Sequence, residues 1–271
     1  MVQCLILDLP GGRGYRAKVT LANHAGEKGY RRKALGEKGL RRTRALEPPI
    51  PRLELRAYYE ALFAAHGPQQ WWPGRTRFEV IVGAILTQNT TWTSVERAIR
   101  KLRAKKLLSP IAFEHISEGQ LAKLIRSSGY FRQKARKLKE FVRFLGETYG
   151  GSLTRMFRMP TNTLRQQLLG VHGIGPETAD SILLYAGKHP VFVVDAYTRR
   201  ILERHQLLHG SESYEEIRML FEQSLPSSAQ LFNEYHALMV HTGKEYCRSK
   251  AALCTGCALR PFLPQPAEAK Q

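Results

Sequence analysis

The sequence has few cysteines, comparatively few acidic residues and no long apolar run, and each shortage argues against a class of protein. Four of its 271 residues are cysteine, too few for a small domain that depends on several disulfides. No run of about 18 apolar residues is present to span a bilayer, and the N-terminal residues lack the basic, apolar and small-residue order of a signal peptide. We therefore expect a cytoplasmic protein that does not bind membranes.

Basic residues outnumber acidic residues by almost two to one. The chain has 42 Lys and Arg against 23 Asp and Glu, which gives a formal net charge of +19 and a pI near 10.1. Lys and Arg that neutralise phosphates release condensed counterions, so this surplus favours a polyanionic partner, with nucleic acid as the first choice. A basic surface that serves only solubility is the weaker alternative.

Composition divides the chain into an extension, a folded domain and a tail. Residues 1–50 are rich in glycine and basic residues, repeat a short segment at 26–32 and 36–42, and end in prolines. We predict a disordered basic extension that either adds phosphate contacts or has no function. The predicted domain covers residues 51–260, and residues 261–271 form a tail.

Apolar residues recur at spacings of three and four through most of the predicted domain, which is typical of α-helices. Residues 191–194 alone look extended, and this run is too short and too isolated to form a sheet. The fold class is therefore predicted to be all-α. The predicted helices cover residues 53–65, 76–87, 92–104, 118–127, 132–148, 162–169, 176–186, 197–207, 213–224 and 229–242.

The most informative segment is a glycine-containing turn between two predicted helices. The first helix ends at Leu169, the turn reads Val-His-Gly-Ile-Gly over residues 171–175, and Pro176 suits the first position of the next helix because no N–H is needed there. The amides of such a turn and of the helix N-terminus carry partial positive charge. Gly173 and Gly175 allow a close approach, so this turn is predicted to bind a DNA phosphate.

An aspartate, Asp195, follows Gly175 by twenty residues and precedes another predicted helix. The hairpin, the intervening helix and the Val-Val-Asp of residues 193–195 together resemble the endonuclease III-like helix-hairpin-helix DNA glycosylases, over about residues 53–260. The resemblance implies a two-lobed helical fold with a C-terminal cysteine-rich loop. It also implies a monomeric, nucleoid-associated enzyme of base excision repair, whose partner is double-stranded DNA that contains a damaged base.

The resemblance makes Asp195 the catalytic residue. Cleavage of an N-glycosidic bond builds oxocarbenium character on the sugar, so a nearby carboxylate stabilises the transition state and can orient the attacking water. Asp195 also suits the N-cap of the helix that follows, and the two roles are compatible. Superfamily members that also cut the backbone carry a lysine where this chain has Glu177, so water is the predicted nucleophile.

All three tryptophans lie within residues 71–92. Their Trp-Trp-Pro segment and the Leu-Thr-Gln-Asn-Thr of residues 86–90 resemble the monofunctional 3-methyladenine glycosylases of this superfamily. We predict that Trp71 and Trp92 line the base pocket, where indole faces attract a cationic alkylated purine by about 0.5–2 kcal/mol per contact. Packing in the core is the alternative for the tryptophans. Glu177 either belongs to this pocket or serves only as a first-turn glutamate.

The same resemblance assigns DNA contacts to the loop after the second predicted helix. Asn89 would fill the gap left by the flipped base, with Gln88 beside it. Lys134 and Lys137, at the start of the predicted helix 132–148, are further candidates for the DNA-facing surface. For each charge, a solvated face without DNA contact is the alternative.

Three other functions are compatible with parts of the pattern. Adenine-mismatch glycosylases also lack the lysine, but the Trp-Trp-Pro segment favours alkylated purines. A glycosylase that also acts as an abasic-site lyase on oxidised pyrimidines matches the scaffold but not Glu177. A non-catalytic helix-hairpin-helix DNA-binding protein matches the hairpin, but it explains neither Asp195 nor the tryptophans. The sequence therefore favours a monofunctional glycosylase for alkylated purines such as 3-methyladenine.

A C-terminal cysteine cluster has the spacing of the first three ligands in the superfamily's four-cysteine iron–sulfur loop. Its members are Cys247, Cys254 and Cys257. Leu263 stands where the fourth cysteine is expected. The resemblance implies a [4Fe-4S]-type cluster with a non-cysteine fourth ligand or a three-iron cluster. Zinc held with His236 or His241, an empty site, and completion by Cys4 from a folded-back extension are the alternatives.

Overall fold

The protein is described by a computed structural model over residues 52–69 and 74–264. Within these residues the chain forms α-helices and no β-strand, which confirms the predicted all-α class. The helices are α1 (Arg52–His66), α2 (Arg77–Leu86), α3 (Trp92–Ala104), α4 (Pro110–His115), α5 (Glu118–Leu124), α6 (Phe131–Tyr149), α7 (Leu153–Met156), α8 (Thr161–Leu169), α9 (Pro176–Ser181), α10 (Ala196–Arg204), α11 (Tyr214–Ser224) and α12 (Ala229–Glu245).

Short elements and one irregular helix account for most differences from the predicted boundaries. The short helices α4 and α7 were not predicted, because four to six residues are too few to show a helical period. The predicted helix 176–186 is α9 followed by a π-helical turn, Ile182–Gly187. Residues 191–194 are buried but pair with no strand, as expected for so short a run.

Helix α2 lies at the centre of the core. Every residue from Phe78 to Leu86 is buried, and a helix that is apolar on all sides requires neighbours on all sides. Those neighbours are α3, α6, α9 and the π-helical turn. At the N-terminus of α2, Thr76 caps the helix by accepting a hydrogen bond from the Glu79 amide. The loop that carries Gln88 and Asn89 therefore begins at the end of a fully buried helix.

A buried ionic network clamps the two helices of the hairpin. Arg165 of α8 donates two hydrogen bonds to Asp180 of α9, at 2.7 and 3.0 Å. Tyr214 of α11 donates to the same carboxylate at 2.9 Å, and Arg165 also reaches Glu215 at 2.6 Å. The Arg165 and Asp180 side chains are 6% and 0% exposed. These contacts fix α8 and α9 on either side of the glycine turn.

Helices α10 and α12 pack closely, and this pairing positions the candidate site. Gly243 of α12 lies against the Tyr197 ring of α10, where any β-carbon at position 243 would overlap the ring. The close approach brings Asp195, the N-cap of α10, opposite His236 of α12. None of the helices in the described part of the chain combines the length and apolar character that a membrane span requires.

Candidate active site

Asp195 is the N-cap of α10, as its position in the sequence predicted. Its Oδ1 accepts a hydrogen bond of 2.8 Å from the Thr198 amide, and its backbone is extended. Its Oδ2 lies 3.6 Å from His236 Nε2, and the side chain is 14% exposed. Burial alone raises the pKa of Asp195, but the electrostatic influence of His236 and the hydrogen bond from the Thr198 amide together lower that pKa below its usual value. The carboxylate is therefore held ionised in a fixed orientation.

His236 is a site residue whose position the sequence did not reveal. Its side chain is 7% exposed, and its Nδ1 lies 2.6 Å from the Tyr185 hydroxyl. Tyr185 belongs to the π-helical turn after α9 and is itself buried. The two contacts make a chain from Tyr185 through the imidazole to the Asp195 carboxylate. The order of residues along the chain gives no signal of this contact, because 41 positions separate His236 from Asp195.

Glu177 lies in the first turn of α9 and interacts electrostatically with Asp195 and His236. Its side chain is exposed over much of its area. The carboxyl group itself is shielded from water by the surrounding protein, and this desolvation raises its pKa. The negative charge of Asp195 raises the pKa further, and His236 lowers it in part. Two carboxylates and one imidazole therefore interact electrostatically at the junction of α9, α10 and α12.

The hairpin turn is joined to the α2–α3 loop by side chains. Gly173 has φ +86°, and a β-carbon there would overlap the aliphatic stem of Lys137, so this position requires glycine. Gln88 donates to the Gly173 carbonyl at 3.0 Å and to the Thr178 hydroxyl at 2.9 Å, and it accepts from Lys137 Nζ at 2.5 Å. Gly175 is the exposed N-cap of α9, with open space beside its Cα.

The two loop residues predicted to contact DNA differ in their surroundings. Asn89 is exposed and has φ 51°, the left-handed conformation that asparagine tolerates. Gln88 is half-buried, and its amide group takes part in the hydrogen bonds to the hairpin. Gln88 therefore anchors the loop to the hairpin, and the neighbouring Asn89 is exposed at the surface. Contact of either side chain with DNA stays a prediction.

Trp92 lies at the N-terminus of α3, half-buried and packed against the core. It also lines a cavity of about 220 Å³ between α2 and α3, together with Arg75 and Glu79. Among the described residues, the lining of this cavity includes neither Asp195 nor Glu177. Trp71, the other predicted pocket residue, lies outside the described residues, as do Trp72 and Cys4.

Lys134 does not face DNA, contrary to the prediction. It is 2% exposed, and its ammonium group donates to the carbonyls of Leu86 at 2.8 Å and Ser128 at 2.6 Å. These carbonyls end α2 and the 3-10 turn Arg126–Ser128, so Lys134 serves as a buried C-terminal cap for both elements. Burial, with a smaller contribution from Lys137, lowers its pKa to about 8.

The three C-terminal cysteines line one cavity of about 240 Å³, whose wall is mostly apolar. Leu263, at the position of the missing fourth cysteine, lines the same cavity, and so does His205. Burial raises the pKa of the Cys257 thiol, and charge on Cys254 and Cys247 raises it further. Three thiols around one cavity are a donor set that fits an iron–sulfur cluster.

The zinc alternatives receive less support from the geometry. Within the described residues, no three His, Cys, Asp or Glu side chains converge closely enough to hold a single metal ion. His236 faces Asp195 and Tyr185, and His241 packs against His66 with ring centroids 4.5 Å apart. Donors spread around a cavity suit a polynuclear cluster better than one tetrahedral ion.

A clamped helix-hairpin-helix followed by a helix whose N-cap is a partly buried carboxylate defines the class of helix-hairpin-helix DNA glycosylases. Residues 82–227 match the model of the HhH-GPD superfamily of base excision DNA repair proteins. The chain belongs to this superfamily and is a DNA glycosylase of base excision repair.

Individual relatives agree with this membership. A protein of Methanocaldococcus jannaschii whose name describes a DNA repair glycosylase is 45% identical over 206 residues, which cover 75% of this chain and 93% of the relative. Endonuclease III of Sulfolobus acidocaldarius is 30% identical over 192 residues, covering 70% and 83%. The solved structure of H. pylori 3-methyladenine DNA glycosylase bound to 1,N6-ethenoadenine is similar with a TM-score of 0.62 at 28% identity, covering 72% and 97%. A non-covalent endonuclease III–DNA complex shares the fold, with a TM-score of 0.66 at 22% identity, covering 79% and 95%.

Proposed function

We propose that this chain is a monofunctional DNA glycosylase that hydrolyses the N-glycosidic bond of alkylated purines, with 3-methyladenine as the preferred base. The observation that carries the proposal is that Glu177, in the first turn of α9, lies close enough to Asp195 for the charge of Asp195 to raise the pKa of its carboxyl group. The position that holds the amine nucleophile in lyase-type members of the superfamily is here a carboxyl group, which cannot form a Schiff base with the sugar.

Asp195 acts in this proposal as the group that stabilises positive charge on the sugar. Its orientation is set by the Thr198 amide and its ionisation is favoured by His236. A preorganised charge costs no reorganisation when the oxocarbenium ion develops, and in a site shielded from water it acts more strongly than in bulk solvent. Asp195 also orients the water that attacks the sugar carbon.

The preference for alkylated purines rests on charge and on resemblance. An alkylated purine is cationic and leaves readily, so water suffices as the nucleophile. Glu177, when ionised, attracts such a base, and the cation in turn favours the ionised form of Glu177. Trp92 and Trp71 supply aromatic faces in the proposal, and the likeness to a 3-methyladenine glycosylase bound to an ethenoadenine supports it.

The DNA contacts follow from the same assignment. The amides at Gly173 and Gly175 bind a backbone phosphate, and Asn89, exposed at the tip of its loop, fills the gap left by the flipped base. The hydrogen bonds from Gln88 to the hairpin couple these two contacts, because the loop cannot shift without moving the turn. Base flipping costs a few kcal/mol, which these contacts must offset.

A panel of duplexes, each with one defined lesion, tests the proposal. We expect single-turnover excision to be fastest with 3-methyladenine and slower with thymine glycol, uracil and adenine opposite 8-oxoguanine. Borohydride should trap no protein–DNA adduct, and the product should be an intact strand with an abasic site. Trp92→Ala should slow excision of the charged base more than that of any neutral base. A wide preference for thymine glycol or mismatched adenine would contradict the pocket assignment.

An endonuclease III-type glycosylase and lyase is the second candidate. It is favoured by the 30% identity to the Sulfolobus enzyme. Efficient borohydride trapping by the purified protein would support this candidate. Because position 177 is a glutamate, the trapped amine would have to come from another residue.

We also propose that the cysteine-lined cavity holds an iron–sulfur cluster. The cluster would order the loop that follows α12, and so direct Arg248 and Lys250 toward DNA, next to Lys244 in the last turn of α12. Arg204 already connects this loop to α10, because it donates to the carbonyls of Arg248 at 2.8 Å and Ser249 at 3.1 Å.

A further inference from the structure

We infer that His205 supplies the fourth ligand of this cluster through its Nε2 atom. The inference rests on the proposed cluster but not on the proposed substrate. Leu263 cannot bind a metal, so three cysteines leave one corner of a cubic cluster without a protein ligand. His205 lines the same cavity as the three thiols and is 9% exposed.

The imidazole of His205 is already oriented by its other nitrogen. Its Nδ1 lies 2.8 Å from the Tyr58 hydroxyl and 3.4 Å from the Phe262 carbonyl. Histidines that bind metals commonly use the second ring N–H in such contacts, which fix the tautomer and the ring plane. Nδ1 is therefore the atom held by the protein, and Nε2 is the atom that remains for a metal.

Other polar side chains of the cavity are less suited to the role. Thr242 donates its hydroxyl hydrogen to the Leu238 carbonyl at 2.8 Å. Arg204 has no lone pair for a metal, and its guanidinium donates a hydrogen bond of 3.2 Å to the Cys247 sulfur. Tyr246 carries a neutral phenol, which would have to lose its proton before it could bind iron. The His205 imidazole binds without this cost.

The location of His205 explains why a leucine is tolerated at position 263. His205 is the C-cap of α10 and Leu263 follows the 3-10 turn Arg260–Phe262, so two separate segments reach the same cavity. A ligand at the C-cap of α10 would also connect the cluster to the helix whose N-cap is Asp195. Replacement of thiolate by neutral imidazole lowers the negative charge of the cluster, and in other iron–sulfur proteins this raises the reduction potential.

Anaerobically purified full-length protein, labelled with ¹⁵N-histidine, tests the ligand directly. We expect about four irons per chain and a ¹⁵N hyperfine coupling in the pulsed EPR spectrum of the reduced cluster. His205→Ala should lose this coupling and, after brief exposure to air, yield about three irons per chain. His205→Cys should retain about four irons without the coupling and with a lower reduction potential. His209→Ala, a change at an exposed histidine on the segment after α10, is the matched control and should match the wild type.

A second variant separates loss of a ligand from loss of folding. Leu263→Cys, made in the His205→Ala background, restores a fourth thiolate at the position expected from the spacing and should recover about four irons. An unchanged coupling in His205→Ala, a wild-type cluster without nitrogen coupling, or a protein that contains zinc or no metal would each overturn the inference. Excision of 3-methyladenine, measured on the same samples, reports on the proposed function independently of the iron readouts.

Discussion

The best-defined residue in the site is Asp195, because two requirements meet in one side chain. Its Oδ1 caps α10, and its Oδ2 is the oxygen nearer His236. Capping needs only a hydrogen-bond acceptor, whereas stabilisation of an oxocarbenium ion needs a negative charge. The two functions can therefore be separated by a substitution that keeps the acceptor and removes the charge.

Asp195→Asn is such a substitution. Asparagine is also a good N-cap, so we expect little change in melting temperature or in binding of lesion-containing duplex. Loss of the charge should lower the single-turnover excision rate by about 100- to 1,000-fold. The measurements are thermal unfolding, equilibrium binding and single-turnover kinetics on one duplex. An undiminished rate would remove Asp195 from the mechanism, and a comparable loss of binding would mean that its role is structural.

His236 provides a second prediction at this scale, because the pKa of Asp195 is lowered by His236 and by the Thr198 amide. In the proposed mechanism excision requires ionised Asp195, so we expect activity to be lost as the pH falls through this lowered pKa. His236→Gln removes one of these influences, the pKa of Asp195 rises toward its usual value or above, and the acidic limb of the rate profile should move to higher pH. The profile of single-turnover rate against pH measures this shift.

Tyr185→Phe is the matched control for His236→Gln. It removes the hydroxyl that contacts His236 Nδ1 but keeps the imidazole near Asp195. We expect a smaller displacement of the acidic limb in this variant. A uniform loss of rate in His236→Gln, with the limb unmoved, would show that the imidazole only packs between α10 and α12.

At the scale of elements, the hairpin is held by its flanking helices and not by its turn alone. The Arg165–Asp180 pair ties α8 to α9, and Tyr214 extends the contact to α11. The turn itself is braced by Gln88 and Lys137. A phosphate-binding turn needs this support, because its amides must stay aligned with an anion on the surface.

Asp180→Asn should therefore destabilise the fold. It leaves Arg165 with Glu215, a half-exposed carboxylate, as its counter-ion, and removal of one partner from a buried pair typically costs about 3–5 kcal/mol of unfolding free energy. Urea unfolding, followed by circular dichroism, measures the change. Glu60→Gln is the control, since the Arg56–Glu60 pair is 72% and 60% exposed and should contribute less than about 1 kcal/mol. Equal effects of the two substitutions would contradict the clamp.

At the scale of the whole molecule, charge is distributed unevenly along the chain. Residues 1–50 contain 11 Lys and Arg and 4 Asp and Glu, so they contribute +7 of the net +19. The remainder of the chain keeps a surplus of +12, enough for it to attract DNA without them. We propose that residues 1–50 strengthen DNA binding without contributing to catalysis.

Deletion of residues 1–50 tests this division. The plot of log binding constant against log salt concentration should become shallower, because each lost phosphate contact reduces the slope by about 0.9. Thermal unfolding and single-turnover excision at saturating enzyme should not change. Binding to an undamaged duplex, measured at several salt concentrations, gives the slope. An unchanged slope would mean that these residues make no phosphate contacts, and a lower melting temperature would place the domain boundary nearer the N-terminus.

The sequence by itself determined the features that depend on neighbours within a few residues. Helical periodicity, the glycine turn, Pro176 at the start of α9 and the capping position of Asp195 are local, because each is set by backbone geometry over one or two turns. The all-α class and the superfamily follow from these patterns. The absence of a lysine at position 177 is likewise read directly from the chain.

Only the tertiary structure decided which distant side chains meet. The contact of His236 with Asp195, the burial of Lys134 beneath the ends of two helices, and the approach of His205 to the cysteine cavity join residues far apart in sequence. A lysine or a histidine has the same local pattern whether it faces solvent, a carbonyl or a thiol. Its role is fixed by how helices pack, since desolvation and the nearest charges, not sequence neighbours, set its protonation and its partners.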